Sequence, residues 1–542
     1  MPQVSGRRFP GLGSMLKVPV VSRPSRTGLG SWRKLAQLVW GSTLLSACVG
    51  AAPLGEERPA DASQPASEGP VAATRSDYAR GLGLAEVAIY QSVKVSLMRR
   101  MVEPEQRNAP VVAGREATLR VFVHPDESWQ PREVTVRLSL AGVPGGAKVL
   151  ERTQRVELAS SEADLGSSIN FRLRSDQVTE AAAVRVELLE TAAVVRADGA
   201  VGQDAVDERA DSQGAGAKSA TGQVGQVRWP REGHASLAAE RLGPLRVRLV
   251  PIRYAADGSN RLPELPAAQL EAFRERLLEL YPVSSVELSV REPVASDVVV
   301  RREGQGWAEL LQRLVELRQA DAAPADMYYY GLANPAVSND VFCKGSCVGG
   351  LAPEAGPADS QLRVGVGLGY DELSTVNTLV HELAHAHGRK HAPCGDNHDV
   401  DPDFPYARAA LGSWGFSAIE QRVLGPEAHS DFLSYCSPSW VSDYTYGALA
   451  ERIRRVASSA QSAPADEDAS TAAEPRQWRT LVVEQDGSMR WGEQPIQWRG
   501  PAGARPATML HVRDASGRPL TIMAYRYPLS DSGAVMWMVP RD

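Results

Sequence analysis

Apolar and polar positions alternate in short runs between residues 79 and 197: VAIYQSVKVSL, ATLRVFVHP, REVTVRLSL, SINFRLRS and AAVRVELLE. A period of two puts every second side chain on one face of an extended chain. Turn-forming residues separate the runs, so the pattern predicts short strands packed as an N-terminal β-sandwich. From LGPLRVRLVPIRY onward the period changes. Within Ala267 to Tyr281, Leu270, Phe273, Leu277 and Leu280 fall on one helical face, SSVELSV follows as a strand, GWAELLQRLVELRQAD repeats the helical spacing and ADMYYYGL reads as another strand. That mixture predicts a central α+β domain over 241–456. Residues 477–542 return to hairpin patterns, with Asp-Gly and Ser-Gly turns, and predict a small C-terminal β-rich domain.

Three stretches carry neither period. Residues 49–78, 198–240 and 457–476 are rich in Ala, Gly, Ser, Pro and acids, and are expected to be a tether and two linkers. A chain of 542 residues accommodates this many units. The formal net charge is −6, yet the first 47 residues hold seven Arg or Lys and no acid. The remainder is therefore more acidic than the whole, which argues against a nucleic-acid partner. The basic start leads into an apolar run from Leu35 to Leu45, the order of an export signal. Leu45-Ser46-Ala47-Cys48 resembles the lipobox of bacterial lipoproteins. That resemblance implies a signal peptide over 1–48, lipidation of Cys48, and a protein anchored to the outer membrane or cell surface, or otherwise secreted. No other stretch is long and apolar enough to span a bilayer.

Apart from Cys48 the cysteines are Cys343, Cys347, Cys394 and Cys436, an even number that reads as two disulfides in an exported protein, with three pairings open. The densest chemistry is HELAHAHGRKH, residues 381–391, which holds four of the nine histidines. VNTLVHELAHAH predicts a helix capped by Ser374 or Thr375, turning Val376, Leu379, Val380 and Leu383 to the core and ending at Gly388. His381 and His385, one turn apart, then lie roughly 6 Å from each other along one face and can grip one ion. Glu382 is directed to where a bound water would lie. Gly388 can turn the backbone so that His391 comes back as a third ligand. Three neutral imidazoles with one open position are a catalytic zinc set.

His381-Glu382-x-x-His385-x-x-Gly388-x-x-His391 resembles the signature of the metzincin metalloproteases. The resemblance implies a metzincin-like zincin domain at 241–456, with zinc on the three histidines and Glu382 as general base. It also implies a turn beneath the metal, for which DFLSYCSPSWVSDYTY is the match, with Leu433 where the family has Met. Tyr435 corresponds to the tyrosine that can stabilise an oxyanion in some branches. No branch is assigned, since Ala392 does not fit those typical of the named ones. The turn must pass under the third ligand, which favours pairing Cys394 with Cys436 and so Cys343 with Cys347. In the family the substrate lies along an edge strand, for which QLRVGVGLGY, residues 361–370, is the candidate; an ordinary core strand fits its periodicity as well. His387 and His398 fall outside the ligand spacing. Asp399, Asp401 and Asp403 could hold calcium, but the loop lacks the Gly and final Glu of an EF-hand, and a solvated loop is the reading.

The sequence thus predicts an exported, monomeric zinc metalloendopeptidase that hydrolyses peptide bonds of extracellular proteins. The alternative is a surface-anchored binding lipoprotein with a vestigial zinc site; retention of Glu382 beside all three ligands argues against it. A zinc hydrolase acting on a non-peptide bond is a third reading.

Overall fold

The computed structural model describes residues 77–191, 226–395, 399–461, 476–500, 507–513 and 516–541. The expected signal, Cys48 and residues 49–76 of the expected tether lie outside them, as does His398, whereas Tyr78 at the tether's end is buried and bridged to Leu189. The first unit is built from β1 (Leu82–Tyr90), β2 (Lys94–Arg99), β3 (Ala117–Pro125), β4 (Arg132–Ala141), β5 (Lys148–Val156), β6 (Ile169–Leu173) and β7 (Ala183–Glu190). One sheet runs β2-β1-β3-β6; the other pairs β7, β4 and β5. In β4 the buried residues Val134, Val136, Leu138 and Leu140 alternate with polar ones, which is what one core-facing side requires. Residues 226–240, read above as linker, are structured. Arg228–Trp229 and Ala235–Ser236 complete the sheet beside β7, and Ala239–Glu240 pairs with Val111–Val112. Strands of two residues are too short to leave a periodic signal.

The central sheet contains β8 (Leu245–Tyr254), β9 (Val286–Val290), β10 (Met327–Ala333), β11 (Gly350–Leu351) and β12 (Val364–Leu368), in the order β9-β8-β10-β12-β11. All pairs are parallel except β11 with β12. Helices α1 (Ala267–Leu280) and α3 (Leu373–Ala386) share one core with Tyr328, Tyr330 and Leu332, whereas α2 (Trp307–Ala320) shares another with Tyr329 and Ala333. The alternation along β10 thus assigns the helices to opposite faces. Arg115 joins the sandwich to this unit by donating to the Tyr281 carbonyl at 2.5 Å. The helix α4 (Asp443–Gln461) follows.

The strand expected at the edge lies inside the sheet. QLRVGVGLGY supplies β12, which is buried along its length between β10 and β11 and cannot receive a substrate. The antiparallel edge of the sheet is β11.

The C-terminal sheet comprises β13 (Arg476–Val483), β14 (Met489–Trp491), β15 (Ile496–Trp498), β16 (Thr508–Arg513), β17 (Pro519–Pro528) and β18 (Val535–Pro540), in the order β14-β13-β18-β17-β16 with β15 on β13. It shares the α2-side core: Trp478, Val482, Met536 and Met538 pack with Trp307, Leu311 and Val315. The Gln312 amide donates to Thr480 Oγ1 at 2.6 Å across the junction. Among the described residues no helix is long and apolar enough to cross a membrane.

Candidate metal centre

Helix α3 buries Val376, Leu379, Val380 and Leu383 against β12 and α1, and this fixes the direction of its remaining faces. Its N-cap is Glu372 rather than Ser374 or Thr375; Ser374 lies inside the first turn and donates to the Glu372 carboxylate at 3.2 Å. The last helical residue is Ala386. Gly388 follows with φ +79°, a conformation open to glycine, and a Cβ there would stand 2.9 Å from the Ala355 carbonyl oxygen. The turn returns His391 to the two helical histidines.

His381, His385, His391 and Asp531 present ligand atoms that all lie within 4.8 Å of one another. Nε2 of His385 is 3.0 Å from Nε2 of His381, which is 3.4 Å from Nε2 of His391. The tautomers follow from the partners. His381 Nδ1 donates to the Phe432 carbonyl at 3.0 Å and His385 Nδ1 to the Arg389 carbonyl at 2.7 Å. Both Nε2 atoms are then bare lone pairs pointed at each other, an arrangement that needs a cation between them. Ligand atoms around a tetrahedral ion with bonds of about 2.0–2.1 Å are separated by about 3.3 Å, so the spacing fits. Burial pushes the basicity of His381 down and that of His385 well down, which keeps both neutral and available as ligands.

Glu382 is buried beside the group. Burial, and then the Asp531 carboxylate, push its carboxyl well above the usual range, while a hydrogen bond from Ser530 works the other way. A Cβ on Gly350 would come within 2.7 Å of Glu382 Cγ, so the β11 glycine makes room for this side chain. Leu433 is buried beneath the site, its carbonyl accepting from Ala392 N at 3.0 Å. Tyr435 is half-exposed; its hydroxyl donates to Asp531 Oδ1 and lies 3.5 Å from His391 Nε2. Sulfur atoms of Cys394 and Cys436 are bonded, as are those of Cys343 and Cys347, the pairing favoured from the sequence. The first bridge ties the segment after His391 to the turn carrying Leu433 and Tyr435.

A groove of about 730 Å³ is lined by residues that include Arg302, Asn339, Val348, Gly350, His381 and Glu382. His387 is no part of the centre. It stacks on Tyr328 with ring centroids 4.2 Å apart, donates to the Leu383 carbonyl, and burial lowers its pKa to about 3. Asp401 and Asp399 face Arg389 and Lys390 at 2.7 and 2.5 Å, so protein cations neutralise them. Ser530 and Asp531 were not foreseen. They sit in the β17–β18 connection, far along the chain from the histidines, and no spacing rule links them to the motif.

Residues 362–472 match the model of the Peptidase M66 family, a metallopeptidase family. The matched stretch contains α3, all three histidines, Leu433 and Tyr435, and ends before Asp531. No curated protein matches the chain. The family match supports a peptidase, and the cluster of His381, His385, His391 and Asp531 could hold a metal ion.

Proposed function

We propose that the chain is a zinc-dependent metalloendopeptidase of metzincin-like layout, exported and acting on extracellular proteins. The convergence of three Nε2 atoms on one point, with Glu382 adjacent, carries this reading. Zinc in such a site lowers the pKa of a bound water to about 7 and polarises a carbonyl. His381, His385 and His391 would hold it, each of the first two oriented by a backbone carbonyl. Glu382 takes the proton of the attacking water and passes it to the leaving amine. The Tyr435 hydroxyl donates to the developing oxyanion once it is free of Asp531. A peptide entering the groove meets the sheet edge at Gly350, where main-chain pairing supplies affinity in any sequence context. Two disulfides and the Leu45 to Cys48 segment support an oxidising, exported location and anchoring through Cys48. The sandwich and the C-terminal sheet are read as parts of one monomer.

The test is bound metal and cleavage of unfolded casein, for the native chain and for Glu382→Gln, each with and without Asp531→Ala. One zinc per chain and cleavage reduced roughly 10²–10⁴-fold by Glu382→Gln are expected. Cleavage that survives this substitution overturns the assigned mechanism.

A further inference from the structure

The connection between β17 and β18 is a hairpin whose tip, Ser530 to Gly533, reaches into the metal centre. Its flanks are fixed. Leu529 N donates to the Ala534 carbonyl at 3.0 Å, and both residues are buried in the core that the C-terminal sheet shares with α2. The segment before the tip also pairs with the continuation of β11: Glu354 N donates to the Pro528 carbonyl at 3.0 Å and Ser530 N to the Ala352 carbonyl at 2.9 Å, with Leu529 bridged antiparallel to Pro353. The tip therefore extends the same sheet edge that borders the groove.

From that base two side chains enter the site. Asp531 Oδ1 lies 3.0 Å from His391 Nε2, and its Oδ2 lies 3.8 Å from His381 Nε2. These separations, one from each oxygen, lie either side of the spacing between ligand atoms of a small tetrahedral ion, so the carboxylate is near enough to supply a fourth ligand to a metal held by the histidines. Ser530 Oγ donates to Glu382 Oε2 at 2.8 Å and accepts from Ala352 N at 3.0 Å. The Tyr435 hydroxyl is committed to Asp531 as well. The vertex a water needs, the base that activates it and the hydroxyl beside it are thus all engaged by one hairpin tip.

We propose that Ser530 and Asp531 form a built-in plug: Asp531 is the fourth ligand of the metal, Ser530 holds the base, and the chain is latent until the tip withdraws. The inference rests on the metallopeptidase reading of the three-histidine site. Withdrawal breaks the two bonds between Ser530 and Ala352 and leaves Leu529 and Ala534 in the shared core. Asp531 and Gly533 have positive φ values of 55° and 65°, so the tip is a tight turn that a nick or a small rearrangement can reshape.

The test uses the full mature chain substituted with cobalt(II), titrated with acetohydroxamate, a bidentate metal binder, and followed by the visible spectrum. Asp531→Ala and the isosteric Asp531→Asn should both bind the hydroxamate at least about tenfold more tightly than the native chain, since the competing carboxylate is gone. Casein cleavage by the zinc forms should rise with the same order among the three proteins. Equal hydroxamate affinity in all three means the fourth position is open in the native chain, and the plug is refuted. Loss of cobalt from either variant means Asp531 is needed to retain the metal, which also refutes latency. Tighter hydroxamate binding with no cleavage by any form leaves the plug standing and overturns the peptidase reading instead.

Discussion

Ser530 and Glu382, 148 positions apart in the chain, share a hydrogen bond of 2.8 Å in the floor of the metal centre. Ser530 belongs to the turn between β17 and β18 of the C-terminal sheet, and Glu382 to the helix that carries His381 and His385. The site is therefore assembled from two layers of the fold, and its behaviour depends on both.

Removal of the metal tests the lone-pair argument. Without an ion, His381 and His385 face each other unfavourably, so chelation should lower the unfolding temperature and His385→Ala should abolish tight metal binding. A metal present at a thousand times its dissociation constant stabilises the fold by about 4 kcal/mol. Scanning calorimetry with and without a chelator measures this; an unchanged transition would mean that the imidazoles are not a metal site.

The role proposed for Tyr435 is in the reaction and not in binding. In an Asp531→Ala background, where its hydroxyl is released, Tyr435→Phe should lower kcat roughly 10²-fold and leave KM little changed. A rise in KM alone would show that the hydroxyl only contacts substrate.

Leu433 fills the space beneath the centre, and its chemistry is that of volume. Leu433→Met should cost less than about 1.5 kcal/mol and keep metal affinity. Leu433→Ala should cost about 2–5 kcal/mol by opening a cavity next to the Ala392 segment that follows the third ligand. Denaturant unfolding with metal titration distinguishes the two; equal losses would mean that side-chain volume is not what Leu433 contributes.

A pH effect is expected far from the site. Burial alone would raise the Glu190 carboxyl, but the Arg132 guanidinium, bonded at 2.6 and 3.0 Å, and the Arg80 amide hold it below the usual carboxylate range. A carboxyl depressed in the fold contributes stability above its unfolded value of about 4.3, and this is lost as pH falls through the folded value. Glu190→Gln should therefore weaken the β4–β7 pairing on the order of 1–2 kcal/mol at pH 7. The deficit should narrow as pH is lowered below about 4. Hydrogen exchange of peptides from β4 and β7 reads it; a deficit independent of pH would rule out the ion pair as its source.

The histidine cluster was legible in the sequence because a helix converts a spacing of four into a shared face, and a glycine three residues on supplies the turn. The long helices and strands were legible through their periods. Strands of two residues, such as Gly350–Leu351 and Arg228–Trp229, leave no period, so the true sheet edge was missed and the adjacent longer strand was chosen instead. Asp531 was illegible for a different reason. It meets His391 where the β17–β18 turn reaches the segment after α3, and nothing in the local sequence around either residue encodes that contact.

Trp307, Leu311 and Val315 of α2 have Trp478, Val482 and Met536 as their covering layer. The C-terminal sheet is consequently a wall of the central unit and not an appendage hung from it. Truncation ahead of Arg476 would strip that wall from a buried tryptophan and two aliphatic residues, leaving an aggregating chain where an unplugged enzyme was wanted.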